Sequence, residues 1–313
     1  MPVVDAHCDT LTVLGAQKRR LGVASPRGHL DVPRLKKGGI DVQFFAIFAG
    51  PDSANSPDNF TAEIIDQFHE ELKNNQSTLQ KVTCHAELVA TLQQGKTCAV
   101  LTIEGGEALN GKIKNLYEYY RAGVRGLTLT WNGRNELGDG VGMGAAATGL
   151  SPFGREVVQA MSRLGMMVDV SHLSVPSFWD VVREVRTPII ATHSNCFSIC
   201  DHPRNLTDQQ IHVIAQTGGV IGVTYVPQFI DRDRPTLTRV LDHIDHLCNA
   251  GGINCVGLGS DFDGIDQVAE GLHDASVAVP NIKKGLAHRG YSQEEIDKIL
   301  GDNWVRLFKE VCS

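Results

Sequence analysis

The chain has 313 residues and carries 36 acidic against 29 basic side chains, a formal net charge of −7. That balance argues against nucleic-acid binding, which needs clustered lysine and arginine, and the short Lys18-Arg19-Arg20 run reads as a solvated helix end or loop. Hydrophobic residues make up 42%, enough for a sizeable core, yet no run is long and apolar enough to span a membrane and Asp5 and Asp9 interrupt any leader-like start, so a cytoplasmic chain without a membrane partner is expected.

The first apolar run, residues 3–9, predicts a strand ending on His7 and Asp9. Two positions apart on a strand, these side chains face the same way. A second run covers 40–49, and helical periodicity follows over 62–73 and 86–94. The third strand, 97–105, ends on Glu104. Just beyond it, Gly106, Gly111 and Lys112 imitate a phosphate loop, but Ile113 stands where a magnesium-binding hydroxyl belongs.

A helix over 115–122 leads to the fourth strand, 123–131, which ends at Trp131 and is followed by Asn132. The alternating Gly138, Gly140, Gly142 and Gly144 lack dinucleotide-loop spacing and suggest a loop that approaches a substrate closely. Helices over 154–164 and 175–185 flank the fifth strand, 166–172, which ends on His172. The sixth strand, 188–194, carries His193 near its end, and a helix over 208–216 follows. Tyr225 lies just inside the end of the seventh strand, 219–226, as a candidate pocket residue.

In the helix over 236–250, Asp242, His243, Asp245 and His246 resemble a metal cluster. They sit beside an apolar stripe of Val240, Ile244 and Leu247 and read as a solvated face. The eighth strand, 255–262, brings Asp261 and Asp263, and C-terminal helices over 292–311 close the chain.

Alternating strands and helices imply parallel βαβ units. Eight of them predict a single domain over 1–313, an α/β (β/α)8 TIM-like barrel, with an open doubly wound sheet as the other topology. In a barrel, the C-terminal strand ends converge on one face, where active sites form. His7, Asp9, Glu104, His172 and His193 would meet there. Imidazoles and carboxylates together suit zinc or a related divalent ion, and five such side chains exceed the needs of one open site. Glu104 is the natural bridge between two ions, because its strand lies between the two ligand groups and the fourth strand offers no lysine. Two ions would activate water and polarise a carbonyl. The eight scattered cysteines read as small buried hydrophobes, and the Cys196/Cys200 spacing lacks a matching second pair.

Ordered motifs carry a resemblance along the whole chain. They are His7-Cys8-Asp9, Glu104-Gly105-Gly106, Ser151-Pro152-Phe153-Gly154, Asp169-Val170-Ser171-His172, Thr192-His193-Ser194, Pro203-Arg204-Asn205-Leu206, Ser260-Asp261-Phe262-Asp263-Gly264 and Asp302-Asn303-Trp304. In this order they resemble the renal (membrane) dipeptidase family, peptidase family M19, in its soluble bacterial type. The resemblance implies a metal-dependent hydrolase barrel with two zinc ions, one on His7 and Asp9, the other on His172 and His193, with Glu104 bridging.

It further implies that Arg204 pairs with the substrate's free carboxylate and that Asp261 contacts its amine and handles a proton. Dipeptides, including those with a C-terminal D-residue, are the expected substrates, and a homodimer is a possible assembly.

One position departs from the pattern. The family's histidine after the fourth strand is replaced by Trp131, leaving Asn132, Arg134 and Asn135 as candidates to contact substrate in its place. That departure keeps a second reading open, a barrel amidohydrolase acting on another amide, a lactone or an acylated amino acid. A metal-bearing binding protein without turnover is a third, disfavoured by so open a ligand set.

Overall fold

A computed structural model of the chain describes residues 1–50 and 56–313. Its sheet contains β1 (Val4–Asp5), β2 (Val42–Phe48), β3 (Leu79–Lys81), β4 (Thr97–Glu104), β5 (Val124–Thr128), β6 (Met167–Asp169), β7 (Ile189–Ile190), β8 (Ile221–Val223) and β9 (Val256–Leu258). The order is β7-β6-β5-β4-β2-β1-β9-β8. A parallel bridge from Ala191 to Ile221 joins the two ends, with Ala191 N donating to Val220 O at 3.1 Å and Gly222 N to Ala191 O at 2.8 Å. Eight parallel strands therefore form a nearly closed barrel wrapped by helices. Of the two topologies the sequence allows, this is the closed one.

Every predicted strand is present, and each ladder is shorter than the apolar run that announced it. The run over 166–172 is regular strand only over Met167–Asp169, because the chain then turns out of the sheet and His172 takes a left-handed backbone, φ 67°. β3 goes beyond the predicted strands: it has one buried residue in three, too few to show a period. It pairs with the start of β4, while β5 pairs with the end of β4.

The helices begin and stop where local chemistry directs. Pro152–Leu164 is capped by Ser151, whose side chain accepts from Gly154 N, and stops at left-handed Gly165. Asp208–Gln216 starts on a capping box between Thr207 and Gln210. The predicted helix over 62–73 begins earlier, as Pro57–Asn74, because Pro57 is preorganised for the first helical position.

Residues alternating along the strands (Val4, Val42, Phe44, Val100, Met167, Ile190) form one core cluster with Trp304 and Phe308 of the C-terminal helix Asn303–Val311. Register places Phe44, Val100 and Met167 on the same side of the sheet as Glu104. The helix thus plugs one end of the barrel and leaves the opposite end to the polar strand ends. Gly257 makes the plug possible, since a Cβ there would lie 2.1 Å from Trp304 Nε1. No helix among the described residues is long and apolar enough to cross a membrane.

Two surface expectations are corrected. Arg19 is not solvated; it is 6% exposed and pairs with Asp263 at 2.8 Å. Its solvent-facing neighbour Arg20 reaches Glu71 at 2.6 Å. His243 is likewise buried rather than part of a solvated face, accepting from Cys196 N on Nδ1 at 3.1 Å with Nε2 2.9 Å from Ile230 O. Helical spacing cannot reveal a partner more than 200 residues away in the chain, which is what buries Arg19.

Candidate metal centre

Register carries Glu104 into the barrel mouth, level with Phe48 on β2 and Thr128 on β5, which is in turn level with Asp169 on β6. His7 and Asp9 follow β1 and are tied to the segment after β9. Asp261 N donates to His7 O at 3.1 Å, and Asp9 N donates to Phe262 O at 2.9 Å. His172 and His193 follow β6 and β7.

The five predicted ligands come together, and Glu104 stands between the two groups. Its Oε2 is 3.4 Å from His7 Nε2. Its Oε1 is 2.9 Å from His172 Nε2 and 3.8 Å from His193 Nε2. One oxygen therefore faces each side. His7 Nε2 is also 3.4 Å from Asp9 Oδ2 and 3.8 Å from Asp261 Oδ1, giving two overlapping clusters of metal-capable side chains. All six residues are buried or nearly so. His7 Nε2 and Asp9 Oδ1 are buried without a hydrogen-bond partner, an arrangement that costs stability unless another group meets them.

The surroundings of the two histidines decide which nitrogens face the centre. Asn132 Oδ1 lies 2.8 Å from His172 Nδ1 and can only accept, so Nδ1 carries the proton. Thr192 Oγ1 lies 2.9 Å from His193 Nδ1, but the hydroxyl proton is committed to Asp169 Oδ2. Thr192 must then accept, and His193 Nδ1 must donate. Both Nε2 atoms are thereby left as lone pairs, 2.9 Å apart, beside a carboxylate oxygen. Three electron-rich atoms so placed repel one another in the absence of a cation, so the donor set fits a divalent metal.

Ionisation follows the same logic. Burial, then the charge of Arg204, pulls His172 down to about 4. Burial likewise holds His193 well below its ordinary value. Burial would raise the Glu104 carboxyl, but the imidazoles of His172 and His7 hold it well below the usual range. Against burial, Asp9 and Glu104 draw His7 well up. Metal ligands must be deprotonated, so binding at His7 would release a proton. Burial, reinforced by Asp9 and Glu104, pushes Asp261 well up. His172 and Asp261 both have left-handed backbones, φ 67° and 66°, a strained state for residues other than glycine that costs about 1–3 kcal/mol and clusters at functional sites.

Arg204 is 4% exposed. Its Nη2 donates to His193 O at 3.0 Å and its Nε has no partner. The carboxylates that act on it, Glu104, Asp261 and Asp169, do so through space, and burial pulls its pKa down to about 10. The guanidinium is therefore available to an incoming anion.

Asp263, expected beside Asp261, faces away and accepts from Thr10, Arg19 and His29 N. Tyr225 is buried edge-on to Phe262, with ring centres 5.5 Å apart. Asn132, a candidate substrate contact by sequence, has its carbonyl engaged by His172. Arg134 pairs with Asp139, and Asn135 donates to Glu107 Oε2 at 3.0 Å and Leu129 O at 2.9 Å, so both are drawn away from the centre. Trp131 is half-buried, its ring centre 6.2 Å from that of His172 and 5.5 Å from that of Phe48.

Sequence reasoning missed Thr192 and Asp169 as supports. A threonine before a histidine looks like any strand residue, and an aspartate before a turn like any cap. Only the packing of β5, β6 and β7 brings Thr128, Asp169 and Thr192 into contact.

The profile of the family described as membrane dipeptidase (peptidase family M19) matches residues 1–313. A Klebsiella pneumoniae protein, known as the uncharacterized protein in the pqqA 5' region, is 40% identical over 223 residues, covering 68% of this chain and 81% of that one. Among solved structures, the M19 metallopeptidase dipeptidase AC superposes with a TM-score of 0.92 at 28% identity, covering 100% of this chain and 99% of its own. A metallopeptidase from Rhodobacter sphaeroides, solved with a phosphinate mimic of the dipeptide L-Ala-D-Ala, superposes with a TM-score of 0.91 at 28% identity over 99% of each chain.

Proposed function

This chain belongs to the membrane dipeptidase family, peptidase family M19, and is a metallo-dipeptidase, and on that footing we propose that it works with two zinc ions on dipeptides, including those ending in a D-residue. His7 and Asp9 would hold one ion, His172 and His193 the other, and Glu104 both. The observation that carries this reading is the division of Glu104, with Oε2 toward His7 and Oε1 toward the histidine pair. When bound, such ions lower the pKa of water and polarise the scissile carbonyl.

The chain's own residues supply the rest. Arg204 takes the substrate's free carboxylate, because a buried guanidinium with an unpartnered Nε gains most from a bidentate anion. Asp261, whose Oδ1 lies 3.8 Å from His7 Nε2, contacts the substrate amine and holds or releases a proton there. Together they gauge the separation of the two termini, which selects dipeptides over longer peptides. Asn132 and Thr192 orient the two histidines. The D-residue reading draws support from the L-Ala-D-Ala mimic bound by the Rhodobacter sphaeroides relative.

The test is hydrolysis of L-Ala-D-Ala by zinc-loaded protein beside a chelator-treated control. Metal-dependent alanine release is the expected result. No release with zinc verified on the protein would refute the D-residue assignment and turn attention to the amides, lactones and acylated amino acids that Trp131 leaves open.

A further inference from the structure

A cavity of about 310 Å³ opens beside the metal centre, at the small end of the roughly 300–1,000 Å³ typical of ligand sites. Its lining includes His172 and Arg204, both buried, then the buried Leu173 and Leu206, and finally the exposed Val175 and Phe197. It therefore runs from the metal ligand and the guanidinium outward to an apolar mouth. Val175 at 55% and Phe197 at 38% belong to the few large apolar side chains left exposed among the described residues. Two of them at one cavity mouth point to an occupant that covers them.

Most polar wall groups are already engaged, the buried Asn205 Oδ1 being an acceptor without a partner. Thr207 and Gln210 close a capping box on each other, and Ser174 donates to Ser177 at 3.0 Å. Arg204 is the one guanidinium or ammonium in the lining, and no carboxylate residue is among the lining residues. The cavity thus offers one cation at its inner end, one unpartnered amide oxygen, which repels a carboxylate, and otherwise a largely apolar wall.

We infer that this cavity is the subsite for the side chain of the substrate's C-terminal residue and that it selects apolar side chains over charged ones. The inference rests on the proposed dipeptidase reading. With the C-terminal carboxylate on Arg204, the adjoining Cα projects its side chain along the walls of Leu173 and Leu206 toward Phe197. A carboxylate side chain there would lose water and find no partner except the cation already in use, whereas an aliphatic one would be buried.

The experiment compares kcat/KM of the zinc-loaded enzyme for Ala-Leu, Ala-Ala and Ala-Asp, all of one configuration at each position. Burial of the larger aliphatic group predicts a preference on the order of tenfold or more for Ala-Leu over Ala-Ala, with Ala-Asp poorest. Phe197→Ala and Val175→Ala, both at the exposed mouth, are expected to erase much of that preference by lowering kcat/KM for Ala-Leu toward the value for Ala-Ala. Equal rates for Ala-Leu and Ala-Ala, or a preference that survives both substitutions, would overturn the subsite while leaving dipeptidase activity standing. Failure to cleave any dipeptide would overturn the underlying reading instead.

Discussion

Replacing Thr192 with valine keeps the shape of the side chain and removes only its hydroxyl. In the native chain that hydroxyl accepts from His193 Nδ1 at 2.9 Å and donates to Asp169. Asp169 keeps its bonds from Thr128 Oγ1 at 2.6 Å, Ser171 N at 2.9 Å and Thr192 N at 3.0 Å, so the support itself stays in place. His193 loses the acceptor that keeps its proton on Nδ1, and the tautomer with Nε2 protonated becomes accessible. Loss of such a partner typically weakens metal binding about 10–100-fold, or roughly 1.4–2.7 kcal/mol.

The readout is competition for zinc against a chromophoric chelator, with the thermal unfolding of the metal-free protein as a fold control. Thr192→Ser retains the hydroxyl and is expected to restore most of the affinity. A valine variant that holds zinc as tightly as the native chain, with an unchanged fold, would refute the claim that Thr192 sets the His193 tautomer.

Two further outcomes follow from the site and the loop that covers it. Arg204→Ala is expected to raise KM for dipeptides by about 10–150-fold, the worth of a charge-assisted hydrogen bond, while sparing substrates without a free carboxylate; equal losses on both would contradict its role. Asp139 is held at about 2, first by its bond from Arg134 and then by Thr148 and Gly149. A depressed carboxylate contributes stability that is present above its unfolded pKa of about 3.9 and is lost as pH falls through the folded value. Asp139→Asn should therefore be less stable at neutral pH and should lose less stability between about pH 4 and 2 than the native chain, as measured by denaturant titration. An identical pH slope in both proteins would remove Asp139 as the cause.

That loop also shows how far local pattern reaches. Its glycines signal close approach, and Gly140 could not carry a Cβ without meeting Trp131 O at 2.0 Å. The pattern does not say what the loop approaches. In the folded chain it closes on His172 and on Asn132, whose side chain meets the His172 ring, through Val141 N to His172 O at 2.7 Å and Gly142 N to Asn132 O at 2.8 Å.

The alternation of strands and helices, and the placing of His7, Asp9, Glu104, His172 and His193 near strand ends, are legible in the one-dimensional pattern. Those features are local, because a period of two assigns a side chain to a face and a glycine or capping residue ends an element. The remaining features come from long-range packing. It closed the ring through Ala191, added β3 against the start of β4, and buried Arg19 on Asp263. It turned Asn132 onto His172 and split Glu104 between two groups of metal-capable side chains. Each of these is a pairing between residues distant in the chain, and a one-dimensional pattern specifies which face a residue occupies but not which partner waits there.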